Sequence, residues 1–271
     1  MSRYTVIGAS GFIGSRLVEL LRQRGEDVYA PSRGEPDLFS RDLGRVFYCA
    51  GLTGDFMVRP FDTVEAHVGL LTQVLRDARF ERLIYLSSTR LYDSLGARGG
   101  HESDVLEFDV TAPRNVYDLS KALGENLCLA RSDGRAAVAR LANVFDWSDA
   151  AGGFLSDLLK RARREREITL ASSPQSGRDY IHADDVIDGL LAMDAQDAPG
   201  IVNLARGEAV SNAEIAQVFT SAGWTLTLTG EQAPPHGPVC DISRLRALGV
   251  SPRDAREVIA RVLRAPDFFD A

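Results

Sequence analysis

The sequence predicts an α/β protein built on a doubly wound parallel sheet, shortened after its second strand, with a smaller C-terminal lobe. Two observations carry this. Through residue 143, short apolar runs alternate with longer stretches of helical periodicity, the pattern of strands covered by helices on both faces. After residue 143 the alternation breaks up, and Gly/Pro punctuation separates shorter elements.

Taken in order, Tyr4–Ile7 is the first strand. Residues 12–24 place Ile13, Leu17, Leu20 and Leu21 on one helical face, and Gly25 stops that helix. Asp27–Ala30 makes the second strand, and Val46–Ala50, apolar throughout, the third. Only residues 31–45 link them. A βαβ crossover needs a dozen or more residues for its connection alone, so this link is expected to be a loop or a short helical turn. Residues 62–79 form an amphipathic helix with Val64, Val68, Leu71 and Leu75 inward. Leu83–Leu86 is the next strand, residues 115–131 another helix, and Ala136–Leu141 another strand. Beyond them, helical stretches near 154–166, 183–195 and 211–222 mix with short strands such as Ile168–Leu170 and Ile201–Leu204. Ala233–Pro238 punctuates this part.

Bulk properties exclude several classes. The 271 residues are 45% apolar and 25% charged, an ordinary globular composition. A net charge of −7 argues against a general nucleic-acid binder, which needs a basic face. The run Lys160–Glu167 interleaves its basic residues with glutamates and reads as a solvated helix face. Cys49, Cys128 and Cys240 are far apart, which argues against a disulfide framework or a zinc site and fits a reducing compartment. No apolar stretch approaches the roughly 20 residues of a membrane helix. The chain opens on a strand, without the charged and apolar regions of a signal peptide. The expectation is a cytoplasmic protein with no metal, membrane or nucleic-acid partner.

The first chemical motif is Gly8-Ala-Ser10-Gly11-Phe12-Ile13-Gly14, between the first strand and the first helix. Gly8 permits a sharp turn, Gly11 close approach of backbone N–H groups to a phosphate, and Gly14 tight packing of helix on strand. In this context the turn reads as a dinucleotide site of Rossmann type. The expected division is a dinucleotide-binding domain over residues 1–143, with interleaved segments near 178–204. A smaller substrate-binding lobe then takes most of 144–271.

The G-x-x-G-x-x-G spacing resembles the extended short-chain dehydrogenase/reductases, the NAD(P)-dependent nucleotide-sugar epimerase, dehydratase and reductase family. Further matches follow in the family's order. The run Leu83-Ile-Tyr-Leu-Ser87-Ser88-Thr89-Arg90-Leu-Tyr92 is similar to the strand ending in its catalytic serine. Tyr117-Asp-Leu-Ser-Lys121 is its Y-x-x-x-K. Arg140-Leu-Ala-Asn143 and Arg178-Asp-Tyr-Ile-His182-Ala-Asp-Asp185 resemble two later elements, and Asp241–Gly249 another near the end. The resemblance implies Ser88, Tyr117 and Lys121 as catalytic residues. It implies cofactor contacts from Gly8, Ser10, Gly11, Phe12, Ile13, Gly14, Ala50, Gly51, Tyr117 and Lys121, and a homodimer paired through the helices at 62–79 and 115–131. The family's asparagine in the first of these helices is replaced by His67, read as a structural histidine.

The chemistry makes sense of these spacings. Tyr117 and Lys121 are i and i+4, one turn apart on one helix face. A phenol of ordinary pKa near ~10 is a poor acid or base at neutral pH, and an adjacent ammonium with a cationic nicotinamide is expected to draw it down. Ser88 would hydrogen-bond the reacting oxygen. Strand alternation places Ser87 and Thr89 on the face opposite Ser88, and the four-residue offset from Tyr92, matching the pattern of the family it resembles, selects Ser88.

Cofactor choice falls to the end of the second strand. The family's acidic position is Ser32 here, followed by Arg33. The missing carboxylate removes repulsion toward a 2′-phosphate, and Arg33 could pair with it. The reading tips to NADP(H) and leaves NAD open; Asp37 and Leu38 are candidates to line the adenine. On the substrate side, Thr89, Asn143 and Arg178 match positions near the nucleotide-linked sugar and its diphosphate. A strand-end cap for Asn143, or a pair of Arg178 with Asp179 or Asp184, stands beside this reading. His182 reads as structural. Dehydratases of the family carry Asp-Glu after the catalytic hydroxyl residue, where this chain has Thr89-Arg90. That leaves a ketoreductase, slightly favoured, or an epimerase with retained NAD. A regulator that senses dinucleotide without catalysis is a distant third, since Ser88, Tyr117 and Lys121 are all present.

Overall fold

The computed structural model describes residues 2–231 and 237–265, so most of the Ala233–Pro238 punctuation lies outside the described residues. Apolar runs become strands: β1 (Arg3–Ile7), β2 (Asp27–Tyr29), β3 (Arg45–Tyr48), β4 (Arg82–Ser88), β5 (Ala136–Leu141) and, much later, β9 (Gly200–Leu204). β4 and β5 are buried at every residue, as central strands covered on both faces must be. The six form one sheet in the order β2-β1-β3-β4-β5-β9, with every pairing parallel. The sheet stops at β2. The link over 31–45 holds only a 3-10 turn, Pro36–Phe39, so the short connection leaves out a further strand and helix.

Helix α1 (Phe12–Gln23) buries Leu17, Val18 and Leu21, and Gly25 ends it in the left-handed region at φ +77°. The helix expected over 62–79 is three pieces: α2 (Pro60–Val64), a π-helical turn (Glu65–Gly69) and α3 (Leu70–Asp77). The wider π turn rotates the buried face. Thr63, His67, Leu71 and Val74 point inward, and Val64, expected inside, is 40% exposed. Helix α4 (Asn115–Arg131) lies across β4 and β5.

Beyond β5, the strands β6 (Asn143–Phe145), β8 (Gly177–His182) and β10 (Ala209–Ser211) make a second small sheet, and β7 (Glu167–Leu170) pairs in parallel with β11 (Thr225–Leu228). Helices α5 (Phe154–Ala162), α7 (Asn212–Ser221) and α9 (Ala255–Arg264) close a second core around Phe145, Leu159, Tyr180, Phe219, Trp224 and Ile259. α6 (Ala183–Ala195) packs against α1, and the short α8 (Ser243–Ala247) against β9. Among the described residues no helix is long and apolar enough to cross a membrane.

A buried polar network ties α4 to the sheet. Arg140 on β5 donates to both carboxylate oxygens of Glu125 on α4, at 2.9 and 2.6 Å, and to the Tyr92 hydroxyl at 2.7 Å. Tyr92 in turn donates to Asn203 on β9 at 2.9 Å. Arg140 is therefore committed to the interior.

Candidate active site

β1 hands the chain to a turn that only glycine can make. Gly8 sits at φ +86°, and a Cβ there would lie 2.6 Å from the backbone nitrogen of Ala50. A Cβ at Gly14 would lie 2.2 Å from the Gly8 carbonyl oxygen. Gly11 closes the turn by donating its N–H to that carbonyl at 3.0 Å. α1 then starts with no side-chain cap, which leaves its first N–H groups and the positive end of its dipole for an anion.

The opposite wall forms where β4 ends. Ser88 closes the strand, and a 3-10 segment, Thr89–Arg98, follows at once. The Ser88 hydroxyl oxygen accepts the Arg90 N–H at 3.2 Å. Tyr117 comes from α4 and lines the same wall as Ser88 and Thr53. Between the glycine turn and this wall lies a cavity of about 500 Å³. Of the residues singled out in the sequence, Gly11, Phe12, Ile13, Gly14, Gly51, Ser88, Thr89, Tyr117, Lys121, Asn143 and Arg178 line it. Ser87 lines it too, because strand alternation ends at the 3-10 segment and no longer separates Ser87 and Thr89 from Ser88.

Other expected positions lie elsewhere. Gly8 and Ala50 meet beneath the turn, and Ser10 is exposed on it. Leu38 is 5% exposed and packs in the core with Leu43, Val46 and Tyr48, so it has no face for an adenine ring. Asp37 and Arg33 are exposed. Ser32 donates its hydroxyl to the carboxylate of Glu35 at 3.1 Å. An acidic group thus stands beside the position where sequence reading found none.

Burial dominates the electrostatics. The Tyr117 phenol is pushed above its ordinary value by burial, opposed by the nearby Ser88 hydroxyl and then by the Arg90 charge. In the protein alone, burial outweighs the lowering expected from an adjacent ammonium together with a cationic nicotinamide. The Lys121 ammonium is buried and donates to the Leu86 carbonyl at 2.7 Å, and burial pushes its own pKa down to about 7 against the pull of Glu125. Beneath Tyr117, the fully buried His67 approaches Ser120, Nδ1 to Oγ, at 2.8 Å. That hydroxyl donates to the Tyr117 carbonyl at 2.9 Å, so Nδ1 must carry the proton and donate. Nε2 is then an acceptor with no hydrogen-bond partner, facing Gly51. Burial, then the Lys121 charge, drives His67 down to about 2, so it stays neutral.

Arg178 lines the cavity while its suggested partners are occupied. Asp179 accepts the N–H groups of Arg206 and Gly207 at 2.8 and 2.9 Å, and Asp184 pairs with Arg16 at 3.0 Å. Asn143 lines the cavity and also stitches β6 to β8, donating to the Asp179 carbonyl at 3.0 Å. His182 caps α6 by accepting the Asp184 N–H at 3.2 Å and packs on Phe145 and Trp147. Sequence reading missed Thr53, Phe56 and Glu35, and noted Arg90 only as a departure. A charge directly after the hydroxyl run was the available signal for Arg90; the others depend on how loops fold back. The glycine cradle, the uncapped helix and the unpartnered His67 acceptor beside Gly51 fit a dinucleotide reaching from α1 to Tyr117.

Comparisons with known proteins agree with this fold. A model of the NAD dependent epimerase/dehydratase family matches residues 4–205. The chain is similar to a dTDP-4-dehydro-6-deoxy-D-allose reductase of Streptomyces bikiniensis, 24% identical over 79% of this chain and 78% of the relative. Its fold is that of MoeE5, solved in complex with UDP-glucose and NAD, with TM-score 0.80, 23% identity and coverage of 95% and 96% of the two chains. It is also that of RMD from Pseudomonas aeruginosa complexed with NADPH, with TM-score 0.75, 19% identity and coverage of 100% and 99%.

Proposed function

Because the chain belongs to the NAD dependent epimerase/dehydratase family, we propose that it is an NAD(P)-dependent reductase of a nucleotide-linked keto-sugar. The observation that carries this is the convergence of Ser88, Tyr117 and Lys121 on one wall of the cavity, with the glycine turn across it. The similar keto-sugar reductase and the absence of an Asp-Glu pair at Thr89-Arg90 favour reduction over elimination.

In this reading, Ser88 and Tyr117 hold the substrate carbonyl oxygen by two hydrogen bonds. Tyr117 gives that oxygen its proton as the carbonyl becomes an alcohol. Lys121, titrating near pH 7, is poised to supply positive charge beside the phenolate left behind. Nicotinamide, when bound, supplies the hydride. Arg178 and Asn143, from β8 and β6, face the nucleotide diphosphate. The sheet with α1 and α4 is the cofactor-binding part, and most of 144–271 the substrate lobe.

The second reading is an epimerase with retained NAD, and Glu35 favours it: a carboxylate hydrogen-bonded to Ser32 repels a 2′-phosphate and suits the free hydroxyls of NAD. Arg33 on the same loop favours NADP(H). The deciding experiment is to denature the purified protein, identify any dinucleotide released, and titrate cofactor-free protein with NADH and NADPH. Exchangeable binding that favours NADPH supports the reductase, tightly retained NAD supports the epimerase, and no binding of either removes both. A homodimer accompanies this reading, because Phe61 and Val64 on α2 and Leu123 and Leu129 on α4 are exposed apolar residues of two neighbouring helices. Light scattering that finds a monomer, unchanged in L123E, would overturn it.

A further inference from the structure

Arg90 occupies an unusual place in the cavity. Its guanidinium carbon is 4.7 Å from the centre of the Tyr117 ring and 4.8 Å from that of Phe56, and these rings are 5.2 Å apart. The side chain therefore rests across a pair of aromatic rings, which hold it by cation–π attraction. The nearest carboxylate, on Asp118, is 3.9 Å from Nε, beyond hydrogen-bond reach. Among the described residues, the Arg90 side chain donates no hydrogen bond. Arg140, on β5 next to β4, is by contrast saturated by Glu125 and Tyr92.

An anchored guanidinium with unused N–H donors, partly exposed on the cavity wall, is a ready fork for a carboxylate. The rest of that wall, Ser87, Ser88, Thr89 and Tyr117, offers neutral hydroxyls. Position decides which anion. Arg90 touches Tyr117, so its anion lies next to the carbon whose oxygen Tyr117 and Ser88 hold. A diphosphate leaves the sugar from the anomeric carbon and already has Arg178.

We propose that Arg90 is a carboxylate subsite beside Ser88 and Tyr117, and that the sugar is a uronic acid whose carboxylate neighbours the reacting carbon. This rests on the nucleotide-sugar reading above. If Arg90 served only to offset Asp118, it would not discriminate between sugars.

The test is calorimetric titration of the protein, saturated with reduced cofactor so that nothing turns over, with UDP, UDP-glucose and UDP-glucuronate. The expected result is glucuronate bound about tenfold or more tightly than glucose. R90Q should bring that ratio to within about twofold and R90K should keep part of it, with UDP affinity unchanged in both. Binding of UDP with equal affinities for the two sugars in the unmodified protein overturns the subsite alone, as does a preference that survives in R90Q. No binding of UDP or either sugar overturns the nucleotide-sugar reading and the subsite with it.

Discussion

Ser88 and Tyr117, brought from the end of β4 and the first turn of α4, line one cavity wall, where the Ser88 hydroxyl works against the burial that raises the Tyr117 phenol. Neither element alone makes a site; the parallel sheet does, by setting the strand end against the helix. Removing the phenolic oxygen should remove the proton donor and leave the fold. Tyr117→Phe is expected to lower turnover roughly a hundredfold to ten-thousandfold while cofactor affinity stays within about threefold. Stopped-flow nicotinamide absorbance with a parallel binding titration separates the two.

Lys121 gives a pH dependence of stability with a defined sign. Its folded pKa, about 7, lies below the ordinary 10.5, so between these values the unfolded chain holds more protons and stability rises with pH. At and below the lower value the whole cost of the buried charge is present. Lys121→Met should therefore raise the melting temperature of the cofactor-free protein by roughly 5 °C at about pH 6, and by little at about pH 10. A gain that grows toward alkaline pH would show that Lys121 is not held as a depressed base.

The Glu125–Arg140 pair is nearly solvent-free, with side chains 5% and 3% exposed. Glu125→Gln leaves a buried guanidinium without its counter-charge and should cost about 3 kcal/mol of stability in urea melts. Replacing both residues with leucine should recover most of that loss.

Glu35 and Arg33 pull cofactor choice in opposite directions from one loop. Glu35→Gln should shift the ratio of NADPH to NADH affinity about tenfold toward NADPH, and Arg33→Ala in the reverse direction. Fluorescence titration reads both. An unchanged ratio in both variants would place the 2′ position of the ribose elsewhere.

Where one physical rule acts alone, the sequence was easily read. β5, α4 and α6 have their expected bounds, because continuous burial or a sustained helical period leaves no competing reading. The strands of the second, three-stranded sheet were not legible, although β7 was read as Ile168–Leu170. β6 and β10 have three residues each, and β8 reads Arg-Asp-Tyr-Ile-His across its end, with Asp179 buried only because it accepts backbone N–H groups from the loop after β9. Periodicity also cannot announce a π turn, which is why Val64, expected inside, is exposed. In the cavity, the glycine turn follows from local spacing, and the Ser88–Tyr117–Lys121 set from the family resemblance, with spacing placing Tyr117 and Lys121 on one helix face. The Glu35–Ser32 contact and the seat of Arg90 on Phe56 depend on tertiary folding that no local pattern encodes.

The brevity of residues 31–45 bears on how long a dinucleotide stays. With one 3-10 turn where a strand and helix would otherwise extend the sheet, and with Leu38 turned into the core, little protein remains to wrap an adenosine. On the reductase reading proposed above, less surface would be covered at that end, and release would be governed by the phosphates and the nicotinamide. Short residence suits an enzyme that must swap its spent nucleotide for a fresh one after every cycle.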